Sequence, residues 1–183
     1  AKNYIKIGDI FSHQGKFGNA MEAYSTALSL TPNNSEVCNK MGNALQKSGK
    51  LKDAIAAYSQ ALIIRPDYPE CHLNMGNALK SQGKLERALK SYEDAKSLQP
   101  DYALAYNNIG NTQKELGNTS EAVENYKKAI SINPNYVDAY TNLGIVHSVL
   151  DEFDEAEKAF KKALGFDRKN VNILFNYANC LFD

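Results

Sequence analysis

The sequence has no tryptophan, only three cysteines and three histidines, and no excess of either charge. Each shortage argues against a class of function. Cys38, Cys71 and Cys180 form an odd set without paired spacing, so no disulfide framework is expected, and no Cys/His spacing suits zinc. Such cysteines fit a reducing compartment, cytoplasmic or otherwise intracellular. Lys plus Arg number 21 and Asp plus Glu number 21, so no net field would gather nucleic acid or acidic lipid. The apolar runs are short, as at Leu62, Ile63 and Ile64, far below a membrane span. The first residues, Ala1 to Tyr4, begin directly on a helical pattern and show no secretory signal.

What the sequence has instead is repetition. Proline recurs every 34 residues, at Pro32, Pro66, Pro100 and Pro134. Glycine keeps the same step at Gly8, Gly42, Gly76, Gly110 and Gly144, and again at Gly15, Gly49, Gly83 and Gly117, where Asp151 follows. Two alanine columns begin at Ala20 and Ala27, and an aromatic column runs Tyr24, Tyr58, Tyr92, Tyr126, Phe160. Chance does not align six columns over five periods.

Each period carries two apolar stripes at helical spacing. In the second period one stripe is Val37, Met41, Ala44, Leu45, and the other is Ala54, Ile55, Tyr58, Leu62. Gly49 suits the left-handed residue that ends a helix. Pro66 cannot continue one. Asn33, Asn34 and Ser35 offer side-chain oxygens to cap the next. Each period therefore reads as helix A, tight turn, helix B, proline turn. Glycine at 42, 76 and 110 with alanine at 54, 88 and 122 lets the two helices approach closely, and the aromatic column fills space against the neighbouring hairpin.

A 34-residue period with these columns resembles the tetratricopeptide repeat (TPR), over essentially the whole chain. The family's usual tryptophan column departs from type, reading Tyr4, Cys38, His72, Tyr106, Tyr140, Leu174. The resemblance implies an all-α fold, a right-handed α-solenoid of antiparallel helix pairs with helix A on the concave side. No hairpin can bury its apolar face alone, so stability comes from stacking neighbours. The expected units are residues 1–34, 35–68, 69–102, 103–136 and 137–170. Residues 171–183 then supply the first helix of a sixth repeat or a capping helix, in one continuous array.

These columns leave little for chemistry. His72 and His147 occupy the packing positions of Tyr4 and Phe11, and His13 lies near the end of the first helix A. The glycines follow the repeat, not a nucleotide loop. Neither catalytic residues, metal ligands nor a cofactor is expected. The sequons at Asn33 and Asn118 fall at helix starts and read as caps.

The unusual feature is asparagine on helix A. One column reads Lys6, Lys40, Asn74, Asn108, Asn142, Asn176, and another, three residues on, reads Asp9, Asn43, Asn77, Asn111, Ile145, Asn179. Residues three apart share a helix face. Asn is a modest helix former, so its repeated use mid-helix needs a reason. A primary amide both donates and accepts, and a row of them can pair with the backbone of an extended peptide. The pattern is similar to the asparagine ladder in the TPR domain of O-linked N-acetylglucosamine transferase. The resemblance implies a backbone grip at Asn74, Asn108, Asn142 and Asn176, while Lys6 and Lys40 depart from it. The two-carboxylate clamp of chaperone-binding TPR domains fits poorly: from repeat two the amides Asn39, Asn43 and Asn74 are present, but Leu104 and Asn108 stand where cations belong. Helical-repeat RNA binders need a basic face or base-reading side chains, and zero net charge argues against that reading.

The reading is a non-catalytic scaffold that binds a partner's peptide segment in its concave groove. The expected contacts are Asn39, Asn43, Asn74, Asn77, Asn108, Asn111, Asn142 and Asn176. An alternative is the substrate-recruiting portion of a larger enzyme such as a glycosyltransferase, and a third is self-association through the last helix. The pattern starts midway at Ala1 and stops after one helix of a sixth unit, which suggests a segment excised from a longer protein. A coding sequence close to 183 residues long would overturn that expectation.

Overall fold

The computed structural model describes residues 1–182; Asp183, the expected end of the sixth unit, lies outside the described residues. Eleven α-helices and no strand are found among the described residues. The chain divides into two compact units. The first, Ala1–Leu98, holds α1 (Lys2–His13), α2 (Phe17–Leu30), α3 (Ser35–Lys47), α4 (Leu51–Ile64), α5 (Pro69–Ser81) and α6 (Leu85–Leu98). The second, from Gln99 onward, holds α7 (Ala103–Glu115), α8 (Thr119–Ile132), α9 (Val137–Val149), α10 (Phe153–Phe166) and α11 (Val171–Phe182). Helices pair as hairpins, α1 with α2 through α9 with α10. The all-α class of antiparallel helix pairs is as expected.

Each hairpin turn is closed by the same backbone device. After α3, Lys50 N donates to Leu45 O at 2.9 Å and Gly49 N to Gln46 O at 3.0 Å. This is the Schellman arrangement, which satisfies carbonyls that the helix end leaves over. It requires positive φ at one residue, and Gly15, Gly49, Gly83 and Gly117 supply it at +72° to +83°. The fourth repetition of that column is not glycine. Asp151 takes φ +58° with the same pair of bonds, Glu152 N to His147 O and Asp151 N to Ser148 O.

The helix B ends modify the reading of proline. α4 stops at Ile64, with Arg65 extended before Pro66, as the residue preceding a proline prefers. Yet α10 stops at the matching register with Arg168 in the proline column, and Asp167 adopts a similar backbone. Proline is therefore not necessary for the stop. Of the sequon residues, Asn34 caps α3 by accepting from Val37 N at 3.1 Å. Asn118 stands at the N-cap of α8, but its side chain makes no cap bond; its Nδ2 donates to Gln113 Oε1 at 2.7 Å instead.

The core of each hairpin is an aromatic ring lying over a glycine. A Cβ placed on Gly110 would sit 2.6 Å from Tyr126 Cε1, and one on Gly144 2.8 Å from Phe160 Cε1. Gly8, Gly42 and Gly76 stand in the same relation to Tyr24, Tyr58 and Tyr92. The glycine thus makes room for a ring of its own hairpin. The ring also reaches onward: Tyr58 shares an apolar cluster with Cys71 and Ala78 of the next hairpin. The alanine columns are fully buried, from Ala20 and Ala27 to Ala156 and Ala163. All three cysteines are free and buried, and the Cys71 thiol donates to the Tyr58 carbonyl at 3.6 Å.

Two outcomes are expected from this geometry. Gly110→Ala forces a methyl into the Tyr126 ring and lowers stability by about 1–3 kcal/mol in denaturant unfolding. Asp151→Gly relieves a left-handed backbone and raises stability by about 0.5–1 kcal/mol in the same assay.

Candidate functional site

The buried rings carry hydroxyls, and a buried hydroxyl needs a partner. Helix A supplies it fifteen residues earlier in the chain. Tyr58 Oη donates to Asn43 Oδ1 at 2.7 Å, Tyr92 Oη to Asn77 Oδ1 at 2.8 Å and Tyr126 Oη to Asn111 Oδ1 at 2.8 Å. In the first hairpin Tyr24 donates to Asp9 Oδ1 at 2.8 Å. In the fifth the ring is Phe160, with no hydroxyl, and the matching helix A residue is Ile145. Where the phenol is lost, at Phe160, its polar partner is lost with it, because the two are ends of one bond.

The second amide column is held differently. Asn74 Nδ2 donates to Asn39 Oδ1 at 3.1 Å, and Asn39 Nδ2 donates to Tyr68 Oη at 3.2 Å. Asn142 Nδ2 donates to Asn107 Oδ1 at 3.1 Å, and Asn107 is bonded to the Tyr136 hydroxyl. Asn39 and Asn107 are only 3% and 4% exposed. The structure therefore places Asn39 beneath the surface as a support, not on a groove wall. Lys40 stands in the same column as Asn74. Its Nζ lies 2.8 Å from Asp9 Oδ2, on the carboxylate that also accepts from Tyr24.

The expected site residues gather in two clefts, one in each unit. A cleft of about 290 Å³ in the first unit is lined by Asn43, Asn74 and Asn77 with Gln46 and Lys47. One of about 390 Å³ in the second is lined by Asn107, Asn108, Asn111, Tyr136 and Asn142, closed by residues of α9 and α11 and the turn between α10 and α11 that include Asp138, Asn170 and Asn172. Asn176 joins neither; its Nδ2 donates to the Asn172 carbonyl one turn back, at 2.8 Å. Sequence reading passed over Asn172 as a wall residue. Its signal was present in the column Leu104, Asp138, Asn172, all three of which line the second cleft. Gln46 and Lys47 left no such periodic trace.

His72 and His147 line neither cleft, while His13 lines an adjoining pocket that shares Asn43 and Lys47 with the first. His147 is 7% exposed and hydrogen-bonds through Nδ1 to Glu152 Oε2, while His72 Nε2 lies 2.9 Å from the Pro66 carbonyl. Among the described residues no helix is long and apolar enough to cross a membrane. The last helix, α11, leaves Val171 75% and Phe175 64% exposed, with Leu174 and Leu181 beside them.

A family model described as TPR repeat matches residues 8–49, 42–83, 76–117 and 114–148, and one described as Tetratricopeptide repeat matches residues 137–170. No curated protein sequence matches the chain. Among solved structures, that of MamA is 32% identical with a TM-score of 0.81, covering 89% of this chain and 95% of that one. TTC0263, a thermophilic TPR protein of Thermus thermophilus, is 21% identical with a TM-score of 0.77, covering 100% and 99%. YrrB, a TPR protein with an unusual peptide-binding site, is 20% identical with a TM-score of 0.75, covering 94% and 89%.

The phenols bear on alkaline behaviour. Burial pushes Tyr58 and Tyr126 well above the ordinary phenol range. Burial does the same to Tyr24, helped by its bond to Asp9. Tyr136 is pushed up to about 12, by burial and then by the nearby Asp138 carboxylate. A group whose folded pKa is raised contributes stability below its unfolded value and loses it as pH rises. For tyrosine the unfolded value is about 10. Unfolding is therefore expected to become steeply easier above about pH 10. Replacing Tyr58 and Tyr126 by Phe, the residue the fifth hairpin already uses, should flatten that slope when denaturant midpoints are compared across the alkaline range.

Proposed function

Because the chain belongs to the tetratricopeptide-repeat family, we propose that it is a non-catalytic scaffold whose helix A amides hold an extended segment of a partner protein. The fold is a protein-interaction scaffold in general terms. The observation that supports the finer reading is the lining of the two clefts. Asn43, Asn74 and Asn77 meet in one, and Asn108, Asn111 and Asn142 in the other, on consecutive helices A of each unit. Amides donate and accept without net charge, so they suit a peptide backbone better than a carboxylate terminus. Lys40, which stands in the Asn74 column, is already neutralised by Asp9. Asn39 serves here by positioning Asn74, and Asn176, with one N–H on the Asn172 carbonyl, lines neither cleft. YrrB, with its peptide-binding site, has a similar fold; the likeness supports the scaffold and not a shared partner.

The test is a peptide array probed with wild type beside a variant carrying Asn74→Ala, Asn108→Ala and Asn142→Ala. Peptides captured by wild type and lost by the variant, at unchanged thermal stability, are the expected result. Equal capture by both would refute the assignment. The exposed stripe on α11 favours a second reading, association of two copies through that helix. Sedimentation should then show concentration-dependent growth that Phe175→Glu abolishes, and a monomer at high concentration would remove this reading.

A further inference from the structure

One polar assembly occurs twice, at a spacing of two repeats. In the first unit Tyr58 holds Asn43, and Tyr68 holds Asn39, which holds Asn74. In the second unit Tyr126 holds Asn111, and Tyr136 holds Asn107, which holds Asn142. Each of these five residues has its counterpart two periods on; Gln46, whose Oε1 lies 2.9 Å from the Tyr58 hydroxyl, does not, since Lys114 stands at its position. The repeat between them breaks the set, because Leu73 stands where Asn39 and Asn107 stand and is itself buried at 3%. The alternation is thus written into a position that tolerates either an apolar or an amide side chain.

The bonds dictate which end of each amide meets a ligand. An asparagine amide turns about a broad terminal torsion unless something holds it. Tyr58 and Tyr126 engage the oxygens of Asn43 and Asn111, which leaves their N–H donors toward the clefts they line. Asn39 and Asn107 engage an N–H of Asn74 and Asn142, which leaves the carbonyl oxygens of those two as acceptors in the same clefts. Each assembly so presents a fixed donor from one helix A beside a fixed acceptor from the next. A peptide bond, with one C=O and one N–H, is the complement.

We propose that the chain carries two equivalent peptide-bond subsites, one per unit, and that the buried Asn39 and Asn107 are positioning residues that set their polarity. The proposal rests on the scaffold reading above and deepens it. It commits the ligand to backbone recognition in alternate repeats, without a requirement for particular side chains. Asn39 lines neither cleft and Asn107 reaches only the floor of the second; both act through the amides they hold, Asn74 and Asn142.

The experiment follows the asparagine side-chain amide resonances of ¹⁵N-labelled protein during titration with a capped glycine–serine peptide, which offers backbone and little else. In wild type the signals of Asn43, Asn74, Asn111 and Asn142 should move together. Asn39→Leu, the residue the chain itself uses at position 73, should weaken the response of Asn74 and Asn43 about tenfold, as the loss of one oriented hydrogen bond implies. The Asn111 and Asn142 response should stay as it was. Asn107→Leu should give the mirror result, and Tyr68→Phe, which keeps the ring, a smaller change in the same direction as Asn39→Leu. Circular dichroism reports whether each variant folds, and the untouched unit is an internal control. No shift in wild type, or an Asn39→Leu variant that responds like wild type, would overturn the proposal. Peptide-array capture that is lost in the triple alanine variant but indifferent to Asn39→Leu would leave the scaffold standing and sink the positioning role. Capture indifferent to the triple variant would sink the scaffold reading itself.

Discussion

The contact of an aromatic ring with a glycine inside each hairpin is the constraint from which the rest follows. A ring from helix B lies where helix A has no Cβ, and any larger residue at Gly42 or Gly110 would meet it. That contact puts the ring in a dry site, as the zero exposure of Tyr58, Tyr92 and Tyr126 shows. Five hairpins use it, so a local packing rule becomes a rule for the chain.

The rings bring hydroxyls into that dry site, and an unpaired buried hydroxyl is costly. Helix A meets the demand with an amide at Asn43, Asn77 and Asn111, or a carboxylate at Asp9. Phe160 removes the demand, and Ile145 sits in place of the amide. The asparagines therefore have a structural duty before any functional one. That duty does not exhaust them. An amide has two ends, and holding the oxygen of Asn43 leaves its nitrogen oriented. Structural satisfaction and ligand recognition are two faces of the same side chain.

Departures from the repeat show which parts of it carry weight. Asp151 replaces the turn glycine and keeps the turn, because the two backbone bonds hold it in the left-handed region. Arg168 replaces the proline and α10 still stops in register. Lys40 replaces an amide and finds Asp9, itself a departure one hairpin earlier. The turn bonds and the ring–glycine contact persist through all of these changes; proline and the individual polar identities do not.

The sequence by itself determined the hairpins, their period and their class. Helical stripes, turn glycines and the 34-residue columns are local or nearly local features, and each repetition adds evidence for the same unit. It also placed Asn43, Asn74, Asn77, Asn108, Asn111 and Asn142 together on helix A faces, and all six line the clefts. Two things came only from the tertiary structure. One is that Asn39 lies under the surface while Asn74 lies in the cleft, although both belong to amide-rich helix A positions. The other is the direction of each amide. Direction depends on partners 15, 29 and 35 residues away, Tyr58 for Asn43, Tyr68 for Asn39 and Asn39 for Asn74. A column of asparagines reads the same whichever end points outward; only the folded neighbours, by their need for a donor or an acceptor, fix which end does.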